Sequence, residues 1–263
     1  MFKNFYSKNG RLFLVFIVLI AFGFYSFAGE GTKYSSNGEK KESLNLALGY
    51  VYLSGNAKSE TGSFKVDYCL AVNRIFLEAK TYFIFTDVTD VSTGHTTRID
   101  EKYFFGLKSN YMLGKKSGIF ANVSWLKNKP AGINKNLAIA TGYSRILVDN
   151  DKKKSKFGIG VEGYKEEKII GNLLEDDSFV AAYFEFAFQY AFNEANKIKF
   201  ENETRVNFSD SDDYRLLDNL SYSSAINKKM AIEFNYIHQY RNIPVPGKKK
   251  TDTTLMINLV FKF

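Results

Sequence analysis

The densest run of groups able to do chemistry is Lys197, Lys199, Glu201, Glu203 and Arg205, five charged residues at alternate positions. Alternation of that kind puts all five side chains on one face of a β-strand. Together with Arg215 and Glu233 they form a set that could line a pore or fill a lumen with ion pairs. Alternating signs point to neutralisation across neighbouring strands. A ladder of one sign would select ions by charge, and this mixed ladder does not.

The other candidates are sparser. His238 has the apolar-face parity of its segment, near one end, and is the one candidate general base. Ser221 and Ser223 have the opposite parity, and Ser224 lies toward the far end of its segment, so no nucleophile pairs with it and no catalytic residue is assigned. His95 sits in a Thr/Gly-rich stretch and reads as an exposed loop residue. Gly158, Gly160 and Gly163 spell G-x-G-x-x-G. A dinucleotide site needs that string between a strand and a helix, and here it lies inside an alternating segment, where glycines relieve crowding in a bent wall. Asp210, Asp212, Asp213 and Asp218 begin like a calcium loop but lack its sixth-position Gly and twelfth-position Glu. Weak divalent binding there, or at Glu175, Asp176 and Asp177, is the residual reading; no metal site and no cofactor is expected. Lys248, Lys249 and Lys250 offer contacts to lipid phosphates or are simply solvated.

The elements that must position these groups are strands. From Ser43 onward the chain divides into segments of period two. Ile119, Ala121, Val123 and Trp125 alternate with Asn122 and Ser124; Leu137, Ile139 and Tyr143 with Ala138, Ala140 and Gly142. Met230, Ile232, Phe234, Tyr236 and Tyr240 oppose Glu233, Asn235 and Arg241. Twelve such segments can be counted, the last carrying Leu255, Ile257, Leu259, Phe261 and Phe263 on one face. Short connections (73–74, 114–116, 149–155, 193–195, 227–229) alternate with longer ones (54–62, 87–97, 127–135, 165–177, 209–213, 242–250). An even count with short turns on one side and long loops on the other is the pattern of outer-membrane barrels, with long loops outside and both termini periplasmic. A soluble barrel with an apolar core is the alternative. Bulky Phe, Tyr, Leu or Ile on all twelve segments would overfill so small an interior, whereas small residues mixed with charges suit a narrow polar lumen.

The two ends agree. Lys3, Lys8 and Arg11 precede an apolar run at 12–22, and Ser26 and Ala28 supply a small-x-small cleavage site. That is the build of a secretory signal peptide, and the run is shorter than the roughly 20 residues of a spanning helix. At the other end the sequence closes on an aromatic inside an amphipathic strand, which fits a strand that closes a barrel and offers the terminal ring to the assembly machinery. Tyr240, Phe261 and Phe263 are therefore read as membrane-interface or assembly residues. Aromatic residues make up 16% of the chain, mostly Phe and Tyr, with only three prolines, as interfacial strands require. The formal charge of +8 is scattered, and the three leader cations leave with the signal, so nucleic acid is not a partner. Cys69 is the only cysteine, so no intrachain disulfide forms.

Three strings carry a family resemblance: L-A-L-G-Y-V-Y-L-S-G-N-A-K-S-E-T (46–61), F-G-L-K-S-N-Y-M-L (105–113) and P-V-P-G-K-K-K-T-D-T-T-L-M-I-N-L-V-F-K-F (244–263). Over nearly the whole mature chain the sequence resembles the YdiY-like, or salt-induced, outer-membrane proteins of bacteria. Ala57 departs from the threonine usual after S-G-N. The resemblance implies an outer-membrane β-barrel and an osmotic or salt response, and carries no catalytic residues.

The resulting expectation is an all-β chain: a signal peptide at 1–28, a short periplasmic segment at 29–42, and a single antiparallel transmembrane barrel of about twelve strands at 43–263. The expected role is a narrow channel or an envelope or salt-stress structural protein. The alternatives are a lipid-modifying enzyme using His238 and a barrel that binds a ligand or partner through its outer loops. The expected partners are outer-membrane lipid and lipopolysaccharide, the assembly machinery during biogenesis, and small solutes or ions.

Overall fold

The computed structural model describes residues 41–53, 58–90 and 95–263. The expected signal peptide and the S-G-N loop lie outside the described residues. Twelve strands follow in order: β1 (Lys41–Leu53), β2 (Lys58–Val72), β3 (Ile75–Thr89), β4 (Thr96–Met112), β5 (Ser117–Asn128), β6 (Ile133–Asp149), β7 (Lys153–Ile170), β8 (Leu173–Ala191), β9 (Asn196–Asn207), β10 (Tyr214–Ala225), β11 (Met230–Arg241) and β12 (Thr251–Lys262). Each strand pairs antiparallel with its sequence neighbours, and β12 returns to β1, so the sheet is a closed barrel. Closure leaves no unpaired edge. The first strand begins at Lys41, two residues before the apolar alternation becomes visible at Ser43.

The wall is inside-out relative to a soluble protein. Ile119, Ile139, Ile159, Val161, Leu255 and Ile257 point outward and are 46–72% exposed. Glu162 and Glu166 point inward and are completely buried. Only an apolar solvent makes that distribution favourable, because exposed apolar area costs about 25 cal/mol per Å² in water.

The longer connections are shorter than the alternation suggests. The stretch 165–177, expected as a loop, is a hairpin: β7 and β8 stay in register from Lys165↔Ser178 to Ile170↔Leu173 and turn at 171–172, where Gly171 takes φ 61°. Lys168 Nζ donates to Asp177 Oδ2 across it at 2.6 Å. Beyond the apolar band both faces of a hairpin meet water, so the backbone ladder continues while the period-two signal disappears. The strands around 87–97 and 127–135 likewise reach further than their apolar pattern.

Candidate functional site

All seven ladder residues have inward parity. Their partners are not mainly on neighbouring strands, as expected, but across the lumen. Glu201 on β9 receives Lys80 Nζ from β3, the opposite wall of a twelve-stranded barrel, at 3.0 Å, and Lys199 Nζ at 2.8 Å. Glu233 on β11 lies 3.7 Å from Lys65 on β2. Arg205 Nε donates to Glu162 Oε2 on β7 at 2.5 Å, and its Nη2 to Glu203 at 2.8 Å. Neutralisation across neighbours fails for a geometric reason. Arg205, Arg215 and Arg241 are direct cross-strand partners, and so are Glu185 and Glu203. Like charges side by side repel, so their counter-ions come from non-adjacent strands or from along the same stretch of chain, as in Arg205 with Glu203 and Arg215 with Asp213.

That three-strand arginine row faces the acids of β7. Glu166 accepts from Arg215 Nη1 at 3.2 Å, from Arg241 Nη1 and Nη2 at 3.1 and 2.6 Å, and from Tyr164 Oη at 3.1 Å. Arg215 is also held by Asp213 through two bonds of 3.1 Å, and its guanidinium lies over the rings of Tyr164 and Phe179. Asp213 is thus committed to an arginine rather than to calcium. No group of three or more His, Cys, Asp or Glu side chains able to hold a metal occurs among the described residues.

Inward-facing aromatics were missed by reading the lumen face as small and charged. Tyr82 stacks on Phe104 with centroids 5.0 Å apart, and Phe120 meets Tyr183 at 5.8 Å. Lys108 bonds Glu185 across the interior and lies over the Phe120 ring. The glycines of β6 and β7 make this filling possible. A Cβ on Gly158 would lie 2.7 Å from the Glu185 side chain, and one on Gly160 only 2.1 Å from the Thr141 carbonyl oxygen.

These side chains form a septum at mid-height. On the loop side is a cavity of about 90 Å³ bordered by Arg205, Arg215, Gln239, Arg241 and Lys250. On the turn side is one of about 280 Å³ bordered by Cys69, Phe76, Met112, Ile146, Lys156 and Lys199. Two oxygens at the septum, Glu162 Oε1 and Glu185 Oε1, have no protein hydrogen-bond partner. The loop end is further narrowed. The 242–250 loop sends Val245, 1% exposed, against Gly132 in the β5–β6 turn on the opposite wall. Gly132 takes φ 75°, and a Cβ there would come 3.0 Å from Val245.

The remaining expected residues lie on the outer wall or at the seam. Tyr240 stacks on Tyr214 at 5.7 Å and donates to Asn242 at 3.0 Å. Phe261 pairs with Leu46 of β1. The Phe263 amide and carbonyl bond Leu44 at 2.9 and 3.1 Å. His238 points outward, as its parity indicated, and is bonded to Asp218.

Fold and polarity together define a transmembrane-type β-barrel with a side-chain-filled lumen. Solved structures similar to this chain include an outer membrane channel and a porin. An outer membrane channel from Pseudomonas putida F1 is 10% identical, with 90% of this chain and 99% of that one covered and a TM-score of 0.45. The NanC porin is 8% identical over 84% and 100%, with a TM-score of 0.49. Among curated proteins, none matches this chain in sequence. The chain belongs to the family described as "Protein of unknown function, DUF481", whose model matches residues 46–263.

Proposed function

We propose that this chain is a bacterial outer-membrane protein whose lumen is a narrow passage for small ions and solutes, gated by its own side chains. The observation that carries the reading is the septum of cross-lumen ion pairs between two cavities. Its members, Lys80, Glu201, Lys108, Glu185, Arg205 and Glu162, are long side chains rather than backbone, so rotamer changes can open it without breaking the sheet. Charged walls keep such a path wettable, whereas an apolar constriction would dewet. Both termini lie on the periplasmic side in this reading, with the Val245 loop facing outward and Phe263 serving barrel assembly. The competing static reading, an envelope component held rigid by the same network, is separated by conductance.

The test is planar-bilayer recording of the refolded protein. Wild type is expected to give small, flickering steps. Shortening Lys80 and Glu201 together to Ser removes one cation and one anion, leaves their other partners Glu78 and Lys199 as one anion and one cation so that the net charge is unchanged, and should raise the unit conductance severalfold. Silence from both proteins at all voltages would reject the channel and favour the static reading. Fractionation that recovers the mature chain in the soluble periplasm would reject the location as well.

A further inference from the structure

The outer wall carries one feature that the lumen reading does not use. On β9, β10 and β11 the residues Asn202, Asp218 and His238 are direct cross-strand partners, and all three point to the lipid side. Thr204 Oγ1 donates to Asn202 Oδ1 at 3.2 Å, and Asn202 Nδ2 donates to Asp218 Oδ1 at 2.7 Å. His238 Nδ1 lies 3.1 Å from Asp218 Oδ2. An ionised carboxylate can only accept, so Nδ1 must carry the proton toward it. Both arms of the relay therefore donate toward Asp218, and the acid fixes the imidazole tautomer. In the neutral ring Nε2 is left as a bare acceptor, and it has no hydrogen-bond partner among the described residues.

Height decides what meets that nitrogen. His238 stands eight residues above Met230, the turn-side end of β11. At about 3.3 Å per residue and about 40° of tilt, that is about 20 Å up an apolar band about 25 Å tall. Leu216 and Tyr240 continue the wall above it, and Leu220 and Tyr236 below. The relay thus sits just inside the band's loop-side edge, where acyl chains give way to headgroups. A polar atom on a lipid-facing wall without a partner is costly, and ionisable groups placed there mark sites by default.

We propose that His238 is the anchor of a lipid-headgroup site, in which Nε2 accepts a hydrogen bond from an N–H or O–H of the headgroup. The ligand class is a lipid bearing such a donor, either the ammonium of an ethanolamine phospholipid or a hydroxyl of a glycerol or sugar headgroup. Asp218, Asn202 and Thr204 are positioning residues. A choline headgroup, whose ammonium is fully methylated, offers no donor and is discriminated against.

The test is native mass spectrometry of the refolded barrel in mixed micelles containing phosphatidylethanolamine, phosphatidylglycerol or phosphatidylcholine at equal concentration. Wild type should retain the first two about fivefold over the third, the ratio that one net hydrogen bond supplies. Asp218→Asn keeps size and shape, still accepts from Asn202 through its amide oxygen, and reverses the bond to His238. Its amide nitrogen donates to Nδ1, so Nε2 becomes a donor able to bond the phosphate that all three lipids share. The preference should vanish while retention persists. In His238→Phe, which keeps a ring on the wall, the preference should vanish and retention should fall to the phosphatidylcholine level. A glycosyl diacylglycerol arm separates the two sources: retention above phosphatidylethanolamine assigns sugar hydroxyls, and retention below it assigns the phospholipid. Equal retention of all three phospholipids by folded wild type, or an undiminished preference in Asp218→Asn, overturns the proposal. Bilayer conductance plays no part in these readouts, so the site and the lumen passage fail independently.

Discussion

Replacing Glu166 by Gln is the sharpest probe of the lumen network. The carboxylate is fully buried and accepts four hydrogen bonds, three of them from Arg215 and Arg241. A glutamine of the same shape accepts at one oxygen only and turns its amide hydrogens toward donors. Arg241 is then left without an ion-pair partner among the described residues, while Arg215 keeps Asp213. Breaking a buried pair by removing one partner costs about 3–5 kcal/mol. The retained Asp213 contacts and the 12% exposure of the Arg241 side chain place this case near the lower bound, about 3 kcal/mol. The assay is urea unfolding of the refolded barrel in lipid vesicles, followed by fluorescence of Trp125, the only tryptophan, which lies 38% exposed on the outer wall. Adding Arg241→Gln removes the stranded cation and should recover more than half of the loss, because the two sites are coupled. A loss below about 1 kcal/mol for Glu166→Gln, the size expected of an exposed pair, would refute the claim that these buried charges depend on one another.

Two other perturbations probe the wall and its tips. Gly160→Val forces a side chain into the Thr141 backbone, and is expected to abolish the heat-resistant folded band on unheated gels; wild-type yield of that band would contradict the packing. Near the loop end, Arg98 donates to both oxygens of Asp87 at 2.7 and 2.9 Å and holds that carboxyl below its usual range. A depressed folded pKa means the contribution is fully present above the unfolded value, about 4. It is lost as pH falls through the lower folded value. Protection of the amides at the tips of β3 and β4, relative to their intrinsic exchange rate at each pH, should therefore fall on acidification below about pH 4 in wild type, and show no such acid step in Asp87→Asn.

The wall was legible in the sequence because lipid enforces one simple rule on it. Ile119, Val123 and Trp125, or Leu255, Ile257 and Leu259, face one solvent, and period two reports that directly. The strand tips were not legible, since 165–177 is wetted on both faces and shows no alternation although it is paired. The lumen partners were hidden for a different reason. Lys80 and Glu201 are 121 residues apart, and nothing local in sequence says which walls a filled lumen brings together. Phe104, set between Tyr103 and Phe105, breaks the polar side of the alternation, and nothing local in sequence marks its ring as aimed inward. The outer relay was within reach. Counting outward from the 226–229 turn sets Asp218 opposite His238, and the acid orients the histidine without being a nucleophile.

The seam where the sheet meets itself has a mechanical meaning. β1 and β12 are registered over four residue pairs, from Asn45↔Lys262 to Leu48↔Leu259, whereas β1 shares thirteen with β2 and β12 shares eleven with β11. The Leu44 and Phe263 bonds fasten the same end, so the clasp sits entirely near the termini. A ribbon rolled into a tube and stitched along a third of its height yields first along that line. Under tension, or in a thinned bilayer, this barrel should unzip at β1/β12 as a single strand peel, with the other eleven junctions intact. Its mechanical strength would then be that of one short row of hydrogen bonds.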